Sequence, residues 1–153
     1  MIKVLFVCHG NICRSPMAEF VLKDMVKKTK WEKIMQIDSA ATSTEELGNG
    51  IHPGTMRKLR QVGIANASHR ARQMQRADYH RYDYFIGMDQ YNLRNMHRIL
   101  GGDPEGKVSL LLDYTDRKGQ SIADPWDTGN FDETYEDVLQ GCKGFLRFLE
   151  EQK

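Results

Sequence analysis

The stretch Met1-Ile2-Lys3-Val4-Leu5-Phe6-Val7-Cys8-His9-Gly10-Asn11-Ile12-Cys13-Arg14-Ser15-Pro16 decides the fold. Val4 to Val7 is an unbroken apolar run, the pattern of a strand buried on both faces of a parallel sheet. Pro16 announces a helix, because a proline in the first turn loses no hydrogen bond. Behind it Met17, Ala18, Val21, Leu22, Met25 and Val26 recur at helical spacing and keep one face apolar. Between strand and helix, Gly10 and Asn11 are two residue types that tolerate positive φ, so the backbone is expected to curl there. A curled backbone ahead of a helix turns several N–H groups into one concavity, with the positive end of the helix dipole behind them. Such a concavity suits an anion of phosphate size.

Working outward, three more apolar runs read as strands: Met35 to Ile37, Tyr84 to Met88 and Val108 to Leu112. Helical patterns lie between and after them. One starts near Pro53, carries Met56, Leu59 and Val62, and stops at Gly63. Another covers Asp89 to Arg98 with Leu93 and Met96 inward. The last bears a stripe of Tyr135, Val138, Leu139, Cys142, Phe145, Leu146 and Leu149, with Cys142 read as core. Strands alternating with helices imply an α/β fold with right-handed crossovers. With no linker or repeat to divide it, residues 1–153 read as a single domain. In such folds ligands bind beyond the carboxyl ends of the strands, and Cys8 sits at one of them.

Composition narrows the function classes. The 22 Lys and Arg nearly cancel 21 Asp and Glu, leaving a net charge of +1, so a global basic field for nucleic acid is absent. No stretch approaches the roughly 20 apolar residues of a membrane span. The apolar N-terminus is short and lacks a small-residue cleavage site, which reads as a strand and not as a signal peptide. Three cysteines, an odd number, argue against a disulfide framework and for a reducing cytoplasm.

The chemistry concentrates in the loop. A cysteine facing helix-end amides and a cation is favoured as thiolate, the nucleophilic form. Arg14 has the planar fork that pairs two phosphate oxygens. A hydroxyl at Ser15 can donate to the sulfur and make it a better leaving group. Cys8, the amide cradle and Arg14 therefore suit attack on a phosphate monoester, with their positions set in advance. A nucleotide-binding loop is excluded because no Gly-Lys-Ser/Thr ending follows. Zinc binding by Cys8, His9 and Cys13 lacks a fourth ligand at sensible spacing. Expelling an alcohol or phenol also needs an acid. Asp124 in Ala123-Asp124-Pro125-Trp126-Asp127 is the candidate, since Pro125 stiffens its backbone and Trp126 offers an aromatic wall. Asp127 is a rival without the following proline.

The run Cys8-His9-Gly10-Asn11-Ile12-Cys13-Arg14-Ser15-Pro16-Met17-Ala18-Glu19 resembles the signature of the low-molecular-weight protein tyrosine phosphatases. Asp38-Ser39-Ala40-Ala41-Thr42, Gly87-Met88-Asp89 with Asn92-Leu93, and Asp124-Pro125 extend the likeness over nearly the whole chain. The resemblance implies a four-stranded parallel sheet flanked by helices on both faces, a phosphate-binding loop after strand 1, a cysteinyl-phosphate intermediate, and neither metal nor cofactor. It implies Cys8 as nucleophile, Arg14 as phosphate clamp and Asp124 as general acid, then base. His9, Gly10, Asn11, Ile12, Cys13 and Ser15 would complete the loop. Asn11, Ser15 and His69 would form its hydrogen-bond network, and Asp89 would support it from the end of the third strand. Cys13 would be the redox partner of Cys8.

Departures bear on substrate. Glu45 stands where relatives often place an aromatic wall, and Trp126 then Asp127 stand where tyrosines commonly follow Asp-Pro. The added acids are expected to disfavour acidic phosphopeptides, with Trp126 the one firm aromatic wall. The related arginine phosphatases carry threonine at the position of Ile12, so Ile12 favours phosphotyrosine. The expected partners are phosphotyrosine proteins or small aryl phosphates, with no nucleic acid and no membrane, acting as a monomer or weak homodimer. Three alternatives are weighed: an arginine phosphatase; a thiol-dependent arsenate reductase, which would need a relay through Cys142; and a non-catalytic phosphate-binding or redox-sensing module, against which the set Cys8, Arg14 and Asp124 argues.

Overall fold

In the computed structural model, which describes residues 1–152, the apolar run at the N-terminus is strand β1, Ile2–Cys8. It lies in the middle of a four-stranded parallel sheet with β2 (Met35–Ala41), β3 (Tyr84–Gly87) and β4 (Val108–Leu110), in the order β2-β1-β3-β4. The expected domain 1–153 ends on Lys153, which lies outside the described residues.

Alternation along β1 explains both cores. Val4, Phe6 and Cys8 face one side with Ile86, under α1 (Arg14–Val26), α2 (Pro53–Gln61) and α5 (Phe131–Glu151). Leu5 and Val7 face the other side with Phe85, under α3 (Gln90–Leu100) and a 3-10 turn at Arg76–His80. Helices thus cover both faces, as a sheet apolar on both sides requires. The crossover after β1 runs over one face and the crossover after β3 over the other. Their divergence opens a crevice at the carboxyl ends of these two strands.

All four strands differ from the sequence reading at an end: β1 runs Ile2–Cys8 rather than Val4–Val7, β3 stops at Gly87 rather than Met88, and β2 and β4 shift further. β2 continues past Ile37 to Ala41, pairing with β1 as far as Cys8. The polar residues in this extension are satisfied sideways: the Tyr82 hydroxyl donates to Asp38 at 2.8 Å, and Ser39 joins a buried network described below. β4 stops at Leu110 rather than Leu112. The Asp113 carboxylate accepts from the Leu110 amide at 2.9 Å and closes a 3-10 turn, Leu111–Tyr114, whose leucines are buried beneath α5. A short helix, α4 (Pro125–Thr128), follows Asp124. In α3, Met96 is fully buried and Leu93 partly; on α5 the buried stripe is Val138, Cys142, Phe145 and Leu149, flanked by half-buried Tyr135, Leu139 and Leu146.

Candidate active site

The loop after β1 curls at one residue, not two. Asn11 has φ 60°, whereas Gly10 keeps a negative φ. A Cβ on Gly10 would lie 3.3 Å from the Glu46 side chain, a tight contact that a shift of that side chain by a few tenths of an ångström relieves. Asn11 holds the left-handed conformation because its whole side chain is engaged. Its Nδ2 donates to Ser15 Oγ at 2.8 Å and Ser39 Oγ at 2.9 Å, and its Oδ1 accepts from the Arg72 amide at 3.2 Å. An amide nitrogen only donates, so Ser15 Oγ accepts from Asn11 and has its own proton free for Cys8 Sγ, 3.0 Å away. The Ser15 amide also points at Sγ, at 3.4 Å. Along the loop, the backbone N–H groups of His9, Gly10, Asn11, Ile12 and Cys13 donate to no group among the described residues. Such orphan donors beside a helix start form an anion cradle.

The network runs deeper than the sequence indicated. Ser39 Oγ donates to Glu19 Oε1 at 2.5 Å, and Glu19 is buried with its other oxygen on Lys23 Nζ at 2.6 Å. His69 lies beside this network: its side chain is 8% exposed, with Nε2 2.9 Å from the Asn11 carbonyl and Nδ1 3.9 Å from Glu19. Ser39, Glu19 and Arg72 were not singled out as site residues. Ser39 and, through it, Glu19 are brought to Asn11 by strand register and helix packing; both lie in the runs that carry the resemblance, which marked them without giving their role.

Arg14 is 3% exposed, and a buried cation needs compensation. Its Nη1 donates to Asp89 Oδ2 at 2.7 Å and to the Ile122 carbonyl at 2.9 Å. Its Nη2 lies 3.5 Å from Asp124 Oδ2. Burial works against its charge, but Cys8, Asp89 and Asp124 outweigh this and hold the guanidinium above its ordinary range. With Nη1 spent on the protein, the Nη2 and Nε edge is left to fork onto an anion.

Asp89 and Asp124 are placed by the same device. Asp89 caps α3, accepting from the Asn92 amide at 2.8 Å. Asp124 caps α4, accepting through Oδ1 from the Trp126 amide at 3.0 Å and leaving Oδ2 toward Arg14. Asp124 has the extended backbone expected before proline, with φ −78° and ψ 117°. Asp127 lines the same cavity but makes no contact with Arg14.

The cavity over the loop has a volume of about 630 Å³ and is bounded by Cys8, Ile12, Arg14, Asp124 and Trp126. Trp126 stands at the rim, its ring 5.5 Å from His52, which in turn stacks on Phe131 at 5.3 Å. Glu45 reaches the rim as a polar group: its Oε2 lies 2.8 Å from His9 Nε2. Tyr91 lines the cavity too, a second aromatic missed by the sequence reading. Cys13 is buried, and burial first, then Cys8 and Asp124, push its thiol up to about 12. Cys8, Cys13 and Cys142 are all free thiols.

Comparisons with known proteins agree with this geometry. The family model described as low molecular weight phosphotyrosine protein phosphatase matches residues 3–153. The low molecular weight protein-tyrosine-phosphatase YfkJ of Bacillus subtilis is 38% identical over 100% of this chain and 99% of its own. The crystal structure of YfkJ superposes with a TM-score of 0.94, covering 100% of this chain and 97% of that one. A low molecular weight phosphotyrosine protein phosphatase of Gallus gallus is 41% identical over 94% of this chain and 92% of its own. SP-PTP of Streptococcus pyogenes, at 40% identity, superposes with a TM-score of 0.86 over 97% of this chain and 93% of that one. A loop of unbonded amides around a cysteine, a buried arginine held by two helix-capping aspartates, and likeness along the whole length make this chain a member of the low molecular weight phosphotyrosine protein phosphatase family.

Proposed function

We propose that the chain hydrolyses phosphotyrosine in proteins and small aryl phosphates through a cysteinyl-phosphate intermediate. The observation that carries this reading is the loop itself: N–H groups of residues 9–13 unused by the protein, with Cys8, Ser15 and Arg14 in the same turn. Cys8 Sγ attacks phosphorus, the S–P bond forms as the P–O bond to the phenol breaks, and Asp124 gives its proton to the departing oxygen. Asp124 then takes a proton from water, whose oxygen attacks phosphorus while the S–P bond breaks and the thiolate is regenerated. Arg14 and the loop amides hold the equatorial oxygens in both steps. Asp89 orients Arg14, and Asn11, Ser39 and His69 hold the loop's shape.

The experiment pairs two substitutions with two leaving groups. Cys8→Ser abolishes turnover. Asp124→Ala slows phenyl phosphate by about 10²–10⁴-fold and slows the activated ester p-nitrophenyl phosphate far less. Equal loss on both esters removes Asp124 from the acid role, and turnover by Cys8→Ser overturns the covalent route.

Ile12 supports phosphotyrosine over phosphoarginine, because it lines the cavity with an apolar side chain that offers a guanidinium no hydrogen bond. Phosphotyrosine and phosphoarginine peptides compared on one sample test that choice. An arsenate reductase relay is not supported, since Cys142 is wholly buried on α5 against the Ala18 carbonyl. The same reading includes a redox shield. Peroxide takes Cys8 to the sulfenic acid, and Cys13 displaces water to close a disulfide. A reducing cytoplasm, which suits the free cysteines, and no nucleic-acid partner, which suits the net charge of +1, complete it, with the chain acting as a monomer or weak homodimer. Among the described residues no helix is long and apolar enough to cross a membrane.

A further inference from the structure

The two acids beside Arg14 sit in parallel settings. Asp89-Gln90-Tyr91 opens α3 and Asp124-Pro125-Trp126 opens α4; in each, an aspartate caps the helix and an aromatic follows two residues later. Because both aspartates reach Arg14, both aromatics are carried to the mouth of one cavity. Tyr91 is 68% exposed and Trp126 63%. Met1, Ile34 and Leu47 are the other exposed large apolar residues among those described, and none of them lines this cavity. The Arg94 guanidinium, one turn on, lies 5.3 Å from the Tyr91 ring centroid. The same cavity is also lined along α3 by Gln90, Tyr91, Asn92 and Asn95.

Resting on the reading of the site as a phosphotyrosine pocket, we propose that Tyr91 is a specificity-determining residue that receives an apolar side chain adjacent to the phosphorylated tyrosine. Trp126 bounds the phosphorylated ring, and Tyr91 gives the neighbouring residue an aromatic surface beside it. Tyr has only two side-chain torsions to lose on contact, and a ring–apolar contact changes affinity by about 2- to 10-fold. The contact is the same in ground and transition states, so it resides in KM.

The test uses phosphotyrosyl peptides of equal charge with leucine or serine on both sides of the phosphotyrosine, and p-nitrophenyl phosphate as baseline. The unsubstituted protein favours the leucine peptide by about 2- to 10-fold in kcat/KM. Tyr91→Ala removes that preference through KM, and Tyr91→Phe retains it. The proposal is overturned by an unsubstituted protein indifferent to the neighbour. It is equally overturned by a Tyr91→Ala variant that loses the same factor on both peptides and the baseline, which marks a structural effect through α3 and Asp89. Failure of the unsubstituted protein on all three substrates removes the phosphotyrosine reading itself, a result distinct from either.

Discussion

At the scale of single residues, the site depends on side chains whose hydrogen-bond roles are forced by their partners. Asn11 can only donate through Nδ2, so Ser15 must direct its proton to Cys8, and the sulfur receives two donors from one residue. These donors stabilise negative charge on sulfur, which matters most when the thiolate departs from phosphorus. Ser15→Ala is therefore expected to lower kcat by about 10–100-fold, the worth of one hydrogen bond to a charged group. A rapid burst of phenol release should then precede the slow steady state, because the second step suffers and the first does not. Stopped-flow measurement with p-nitrophenyl phosphate reads this directly, and a slow first turnover without a burst would contradict it. Cys8, Arg14, Ser15 and Asp124 were legible because their chemistry is local to short motifs. Tyr91 was not, since an exposed tyrosine on a helix gives no sign of which cavity it borders.

Secondary-structure elements position these groups by close approach as much as by apolar stripes. The stripe on α5 was readable from its large residues, yet the helix touches the 3-10 turn that follows β4 through glycines. A Cβ at Gly144 would stand 2.1 Å from the Tyr114 carbonyl oxygen, and one at Gly141 would stand 2.4 Å from Leu111. Because the first obstacle is backbone, it cannot rotate away. Gly144→Ala is expected to cost about 1–3 kcal/mol, seen by calorimetry as a fall in Tm of about 2–12 °C; an unchanged Tm would mean that α5 shifts freely. Gly54 plays the same part at the other end, where a Cβ would meet the Phe131 ring at 2.3 Å. That approach seats Phe131 against His52, and His52 against Trp126, so the aromatic rim depends on a glycine distant in sequence.

For the molecule as a whole, burial of ionisable groups sets a limit on the alkaline side. Burial raises the Tyr114 hydroxyl to about 12, despite its 2.8 Å hydrogen bond with Ser109, and burial with the Asp38 hydrogen bond raises Tyr82 to about 12. A raised folded-state value means that the folded chain holds these protons more tightly than the unfolded one. Their contribution is complete below the ordinary tyrosine value of 10 and is lost as pH rises to about 12. Unfolding free energy should fall across that window, by on the order of 2–3 kcal/mol for Tyr114. Tyr114→Phe, followed by denaturant unfolding at stepped pH, should flatten the slope; an unchanged slope would remove Tyr114 as its source. The sequence alone determined the α/β class, the strand-loop-helix at the N-terminus, the nucleophile and its cradle. Each of these follows from local periodicity and from backbone chemistry within a few residues. Only the tertiary structure decided that β2 runs on to Ala41, that Ser39 and Glu19 lock Asn11, that Glu45 pairs with His9, and that Tyr91 faces Trp126's cavity. Those outcomes depend on strand register and on which helices converge at the sheet's carboxyl edge, relations between distant segments that no local pattern encodes.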